Sequence, residues 1–371
     1  MLRHVILSVA FSLAFGFSVQ AQSLKLDSQE NLSQSRRWTV LRNGGWVRVD
    51  GGRLEFFSPD GQRKRRLNLR GNEYLFAAPV SNVLGVIAFA DRQPKTLSAV
   101  TFDLFADDGE QILRIDKPPF ASVIVSPTGS AFVGVDGALG LPTSILRFYD
   151  RSGRRHDTVT VARYRGGEFC RDGSLVFVVS SETGLIAYAP TGRVVHDFGS
   201  VDHWAASDDG SVVMLHRQGR LYFFHNGGLS KTLGWRTDVE PIRHLAVSPN
   251  GLHAAVVSAD HAAVIQVSSA DVIWETEPGD PEWNFRTVDL TDDATFVVTG
   301  LDYDPGPSSS DRHTRSRCLV FDRTGKLIDS KNDAVTKWNE TYPRVHIDQR
   351  EGRLFFVNRD RFQTFRIEDL N

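Results

Sequence analysis

The chain has 371 residues, 24% charged and 41% hydrophobic, with Gly 31 and Pro 15 near average usage, which excludes a collagen-like, low-complexity or disordered polymer and a bundle of membrane helices. A formal net charge of -2 leaves no basic footprint for nucleic acid. Aromatic residues reach 10%, with Phe 24 against Met 2, a bias towards pleated surfaces where rings and branched side chains fit well.

The chain opens on a short basic head, Met1-Leu2-Arg3-His4, followed by an apolar run from Val5 to Val19 and then Val19-Gln20-Ala21. A run of about 15 residues is short of the ~20 that a membrane span needs, and small residues close it as a signal peptidase requires. Residues 1–21 are therefore expected to be a signal peptide, and 22–371 a single domain exported to the periplasm or secreted, with no membrane span. No Cys lies near the cleavage site and there is no twin-Arg pair. The two cysteines, Cys170 and Cys318, fall on blades three apart in the repeat described next, so they are expected as two buried thiols rather than a disulfide.

From Trp38 onward two patterns alternate. The first is a short apolar strand, a tight turn and a second apolar strand. It appears at Val123-Ile124-Val125-Ser126-Pro127-Thr128-Gly129, Phe169-Cys170-Arg171-Asp172-Gly173, Ala206-Ser207-Asp208-Asp209-Gly210 and Val247-Ser248-Pro249-Asn250-Gly251, with weaker copies at Leu290–Asp293 and Asp348–Gly352. Ser bonds its own turn, Pro presets φ and Gly supplies φ > 0. The second is an alternating strand and a polar turn with Gly, as in Phe56–Gly61, Leu146–Gly153, Leu185–Gly192 and Val320–Gly325. Together they make four strands, A to D, every ~40 residues, which is the period of a β-propeller blade. Units begin near Arg37, Asn72, Lys117, Ala162, Gly199, Arg236, Pro278 and Asp333. The last lacks a fourth strand, which Ser23–Asp27 can supply, closing the ring and removing an open edge. The fold class is thus all-β: a propeller of about eight four-stranded blades (seven being the alternative), closed by an N-terminal strand.

With these turns the chain resembles the WD40-like propeller superfamily, and most of all the exported bacterial propellers with Ser-Pro-Asp-Gly-type turns, as in TolB-like repeats. The resemblance spans nearly the whole of 22–371 and implies a fold, not an activity. The Gly-His and Trp-Asp pairs of eukaryotic WD40 blades are absent, as is the regular Gly-x-x-x-Trp of quinone-cofactor propellers.

In a propeller the A–B and C–D turns share one face, and the B–C and D–A loops the other. The first set is short and uniform here; the second varies in length, as loops that carry function do. The D–A connections carry an aromatic nearly every time: Tyr74, Phe120, Tyr164, Trp235, Trp283 and Trp338 with Tyr342. Arginines flank them, among them Arg165 and Arg236. Tyr164, Arg165, Trp235, Arg236, Trp283 and Trp338 are the candidate contacts for a protein, peptide or glycan, with the Asp302–His313 insertion as a flap. Rings at these positions also plug gaps between blades. Asp302, Asp304 and Asp311 are the weak metal candidates, since the spacing lacks the third acidic ligand and terminal Glu of a calcium loop. The histidines form no ligand motif, and their repeat positions do not require them to converge. No nucleophile elbow or phosphate loop occurs, and no motif points to a cofactor. The reading is a monomeric, non-enzymatic binding or scaffold propeller. The alternative is a propeller lyase or hydrolase, metal-dependent or not, with its site at the funnel mouth.

Overall fold

The computed structural model describes residues 24–31, 38–50, 52–69, 73–77, 81–89, 99–137, 141–235, 241–279, 283–294, 297–303, 313–314, 316–332, 336–337, 344–349, 352–358 and 361–367. The expected signal peptide, residues 1–21, lies outside them. Strand β1 (Leu24–Asn31) comes first. Blade 1 is β2 (Trp38–Val40), β3 (Trp46–Asp50), β4 (Arg53–Phe57) and β5 (Arg63–Asn68). Blade 2 is β6 (Glu73–Ala77), β7 (Val83–Phe89), β8 (Ala99–Ala106) and β9 (Gln111–Asp116). Blade 3 is β10 (Ser122–Val125), β11 (Ala131–Asp136), β12 (Thr143–Asp150) and β13 (Arg155–Ala162). Blade 4 is β14 (Tyr164–Phe169), β15 (Val176–Ser180), β16 (Gly184–Tyr188) and β17 (Val194–Gly199). Blade 5 is β18 (His203–Ala206), β19 (Val212–Arg217), β20 (Arg220–His225) and β21 (Gly228–Gly234). Blade 6 is β22 (His244–Val247), β23 (His253–Val257), β24 (Ala262–Gln266) and β25 (Asp271–Thr276). Blade 7 is β26 (Trp283–Leu290), β27 (Val297–Tyr303), β29 (Ser316–Phe321) and β30 (Leu327–Asn332), with β28 (His313–Thr314) between its second and third strands. After β31 (Thr336–Lys337), blade 8 is β32 (Arg344–Asp348), β33 (Arg353–Asn358) and β34 (Arg361–Ile367).

Blade 8 is completed by β1, in the order β1-β34-β33-β32. Leu24 stands opposite Ile367 and Asn31 opposite Arg361, with one register shift between Leu26 and Ser28. The structure is therefore an eight-blade propeller closed by its N-terminal strand, as the repeat predicts. Six of the eight inner strands begin within five residues of the predicted unit starts, and β22 begins later, at His244 against Arg236. The eighth begins at Arg344, later than Asp333, because β31 intervenes and pairs with β28 from the blade 7 insertion. No helix of the described residues is long and apolar enough to cross a membrane.

The turn chemistry works as the sequence implies. Gly129, at φ 69°, donates its N–H to the Ser126 carbonyl at 2.8 Å, and an added Cβ would meet Val83 Cγ1 of blade 2 at 2.6 Å. Glycine is required there both for its backbone and for close approach. Ser207 and Ser248 Oγ accept the N–H of Val212 and His253, each at 3.0 Å. Cys170 holds the same position in blade 4, where its Sγ accepts the Leu175 N–H at 3.1 Å. Its presence thus follows from the repeat. Both cysteines are free and buried; burial pushes the Cys170 thiol up to about 11 and moves Cys318 in the same direction.

Seven hydrophobic clusters of described residues follow the ring, each shared by two consecutive blades from 1/2 to 7/8. Large rings such as Phe56, Phe102, Phe132, Phe177 and Phe223 are fully buried in them. At the boundary of blades 8 and 1, polar links are prominent. Arg42 pairs with Asp348, and Arg353 donates to the Asn43 carbonyl. The closure seam is tied by charge as well as by β1.

Candidate functional site

On the A–B face, the turns are linked blade to blade. Arg42 N donates to Ser81 O at 3.1 Å, Asn82 N to Pro127 O at 3.3 Å, Asp172 N to Asp208 O at 3.0 Å and Asp208 N to Pro249 O at 3.1 Å. Asn250 N reaches Asp292 Oδ1 at 2.7 Å, and Asp292 N reaches Gln349 Oε1 at 2.8 Å. Inside this belt, Arg171 of the blade 4 turn crosses the channel. Its Nη2 donates to Asp289 Oδ2 of blade 7 at 3.1 Å and its Nη1 to the Ile347 carbonyl of blade 8 at 3.3 Å. Asp208 Oδ1 of blade 5 lies 3.4 Å from Nη1. Asp289 Oδ2 also accepts the Ile347 N–H at 2.8 Å, and His346 Nδ1 lies 3.2 Å from both Asp289 Oδ2 and Arg171 Nη2. Burial alone would raise the Asp289 carboxyl. The Arg171 charge, His346 and the Ile347 N–H outweigh it and hold the carboxyl well below the usual range. These polar groups are engaged with one another across blades 4, 5, 7 and 8, an arrangement suited to bracing the ring.

The opposite face is built differently. A cleft of about 340 Å³ opens between blades 4 and 5 at the D–A end of their inner strands, lined by Arg165, Gly166, Gly167, Glu168, Val179, Val201, Asp202, His203 and Trp204. Its position follows from a bulge in β14. Tyr164 pairs with Ser180 and Gly166 with Val179, so Arg165 is the extra residue. A bulge re-aims the side chain it carries, and Arg165 is exposed while Tyr164 turns inward. Across the cleft, Trp204 is half-buried with its ring 4.8 Å from that of Phe177. His203 stands directly opposite His216 in the β18–β19 register, their ring centroids 6.3 Å apart. Burial lowers both imidazoles below their ordinary value, and His203 is lowered further by His216 and Arg165 despite Asp202. The cleft therefore holds a fixed cation, two carboxylates, the largely uncharged His203 imidazole and an indole. That set can bind a polar, partly aromatic ligand.

The predicted contacts divide. Arg165 lines the cleft. Tyr164, 6% exposed, belongs to the core between blades 3 and 4, and burial pushes its hydroxyl up to about 12. Trp235, 7% exposed, belongs to the core of blades 5 and 6, its ring 6.2 Å from His261. Trp283 opens β26 and rests half-buried against the core of blades 6 and 7. These three rings fill space between blades, because a D–A connection returns the chain from the rim into the next interblade gap. Arg236 and Trp338 lie outside the described residues, as do Asp304 and Asp311. Asp302 stands in β27, opposite Asn284 and Ser316. No group of three His, Cys, Asp or Glu side chains placed to hold a metal occurs among the described residues. Sequence reasoning passed over Asp202, His203, Trp204 and the Gly166-Gly167 pair. The turn at Ser207–Gly210 sets the register that places His203 opposite His216.

No family model matches the chain, and no curated protein matches it. Solved propellers do. Sqt1 of Saccharomyces cerevisiae is 10% identical with a TM-score of 0.59, over 93% of this chain and 99% of that one. The Dos1 propeller is 12% identical with a TM-score of 0.56, over 92% and 95%. KlHsv2, with its loop 6CD replaced by a Gly-Ser linker, is 11% identical with a TM-score of 0.50, over 85% and 99%. At these identities the likeness is one of fold, and in fold the chain resembles the WD40 β-propellers.

Proposed function

We propose that this chain is an exported, non-enzymatic binding propeller that holds a protein, peptide or glycan at the blade 4/5 cleft of its B–C and D–A face. One observation carries the reading: the two faces differ in what their polar groups do. On the A–B face they are engaged in the belt and the cross-channel network. On the other face Arg165, His203 and Trp204 gather around open space. A rigid ring presents such a cleft with little ordering cost on binding. Export rests on the N-terminal segment, whose basic head, apolar run and small-residue end match a signal peptide. The solved propellers that resemble the chain support an interaction role at the level of fold.

Two charge reversals separate the faces. Arg165→Glu lies in the cleft, whereas Arg151→Glu changes an exposed arginine beside a C–D turn. Partner capture by the tagged full chain, expressed in its own cell, is expected to fall at least tenfold with Arg165→Glu and to hold with Arg151→Glu. The reverse pattern would place the partner on the other face and end the proposal.

A further inference from the structure

The blade 4/5 cleft has a floor of bare peptide. β14 is the innermost strand of its sheet, and among the described residues no strand pairs with it on the channel side. An edge of that kind presents N–H and C=O groups ready for another chain. Within it, an added Cβ on Gly166 would meet nothing within 4 Å, while one on Gly167 would sit 2.7 Å from the Phe177 carbonyl oxygen. The first glycine leaves the cleft open above the strand, and the second lets the strand lie close on β15. Glycines inside a strand mark places where another backbone approaches closely. The other blades place side chains in the corresponding stretch, as at Ser122-Val123 and His203-Trp204.

The wall chemistry adds polarity to this floor. Among the described residues the Arg165 guanidinium makes no hydrogen bond or ion pair. A guanidinium presents a planar fork that matches a carboxylate at two points. Trp204 lines the same cleft and supplies an apolar plate, and the carboxylates of Glu168 and of Asp202, the latter 59% exposed, line it too.

Resting on the binding reading above, we infer that the cleft takes an extended peptide segment with an acidic side chain or terminal carboxylate next to an apolar or aromatic residue. The peptide main chain runs along the bare edge at Gly166-Gly167, the carboxylate sits on the Arg165 fork, and the apolar neighbour lies against Trp204. Peptide is favoured over sugar because the floor offers amide hydrogen bonding in strand geometry, which a glycan's hydroxyls do not match in spacing.

The test uses the full chain and defined probes. A random heptapeptide library is panned against it, and the leading sequences are synthesised together with versions in which each Asp or Glu becomes Asn or Gln and the terminus is amidated. Enriched peptides are expected to carry an acid within two positions of an aromatic or large apolar residue. Neutralising that acid is expected to weaken binding at least tenfold, as is Arg165→Gln. In the double change the two losses should not add, and Arg165→Lys should fall between wild type and Arg165→Gln. Circular dichroism and thermal melting check that the exposed Arg165 variants stay folded. Three outcomes overturn the inference: no enrichment, enriched peptides without an acid, or an Arg165→Gln affinity within twofold of wild type. A parallel panel of neutral and uronic-acid oligosaccharides provides the contrast, and binding there without peptide binding also overturns it. If Arg165→Glu still abolishes partner capture in any of these cases, the cleft remains a binding site and only its ligand class is wrong.

Discussion

Deleting residues 24–31 is expected to open the ring. The deletion removes β1, the outermost strand of blade 8, and exposes the β34 edge along Arg361–Ile367. A ladder of several backbone bonds, each worth about 1 kcal/mol net, is lost together with the covalent route that ties the first strand to the last blade. The total is on the order of 5 kcal/mol, comparable with the whole stability of many domains. The truncated chain should unfold at a much lower urea concentration, and the bared edge should make it associate at micromolar concentrations. Urea midpoints and size-exclusion profiles of the two chains decide this. A truncated chain with the same midpoint and a monomeric profile would show that the seam is held by other contacts.

Asp289→Ala carries the second large effect. It leaves the Arg171 guanidinium in the channel without the acceptor that Asp289 provides and frees the Ile347 N–H. Removing one partner of a fully buried pair costs about 3–5 kcal/mol, and the cost here is smaller because Arg171 keeps 31% exposure against 8% for Asp289. The network also predicts how stability depends on pH. The Asp289 carboxyl sits below its ordinary value in the folded chain, so its stabilisation is present above about pH 3.9 and lost as pH falls towards the folded value. Burial and the Arg171 charge lower His346 despite Asp289. The unfolded chain then takes up that proton first, and stability declines as pH drops below about 6.5. Both groups act in the same direction, and so do His203 and His216. Urea midpoints measured from pH 7.5 to pH 3 should fall for the wild type. The Asp289→Ala chain should start lower and lose less below pH 4. Equal slopes below pH 4 would remove Asp289 from the account.

The repeat made the fold readable because each blade is built by the same local devices. Ser126, Ser207 and Ser248 anchor their turns, the following glycines take positive φ, and alternating rings such as Tyr222-Phe223 fill the interblade gaps. Closure by the N-terminal strand followed from a missing fourth strand in the last unit. The site was legible only in part, since a cleft depends on how neighbouring blades meet. Tyr164, Trp235 and Trp283 sit where an aromatic can either face outward or fill a gap, and local sequence does not distinguish the two. Arg165 was singled out for its place in a connection, yet its exposure comes from a bulge that strand periodicity does not reveal. Arg171, Asp289 and His346 are separated by more than a hundred residues between the first and the others and meet only across the channel. One signal was available: Arg171 occupies a turn position held by Pro127, Asp208 and Pro249 in other blades.

Site-specific photo-crosslinking in the intact cell tests the central claim most directly. A benzophenone side chain is placed at Ser200, exposed beside the cleft-lining Val201, and in a second protein at Arg151 near a C–D turn. The account predicts a discrete crosslinked partner from position 200 that disappears when Arg165→Glu is added, and none from position 151. A partner captured from position 151 and not from 200 would contradict it.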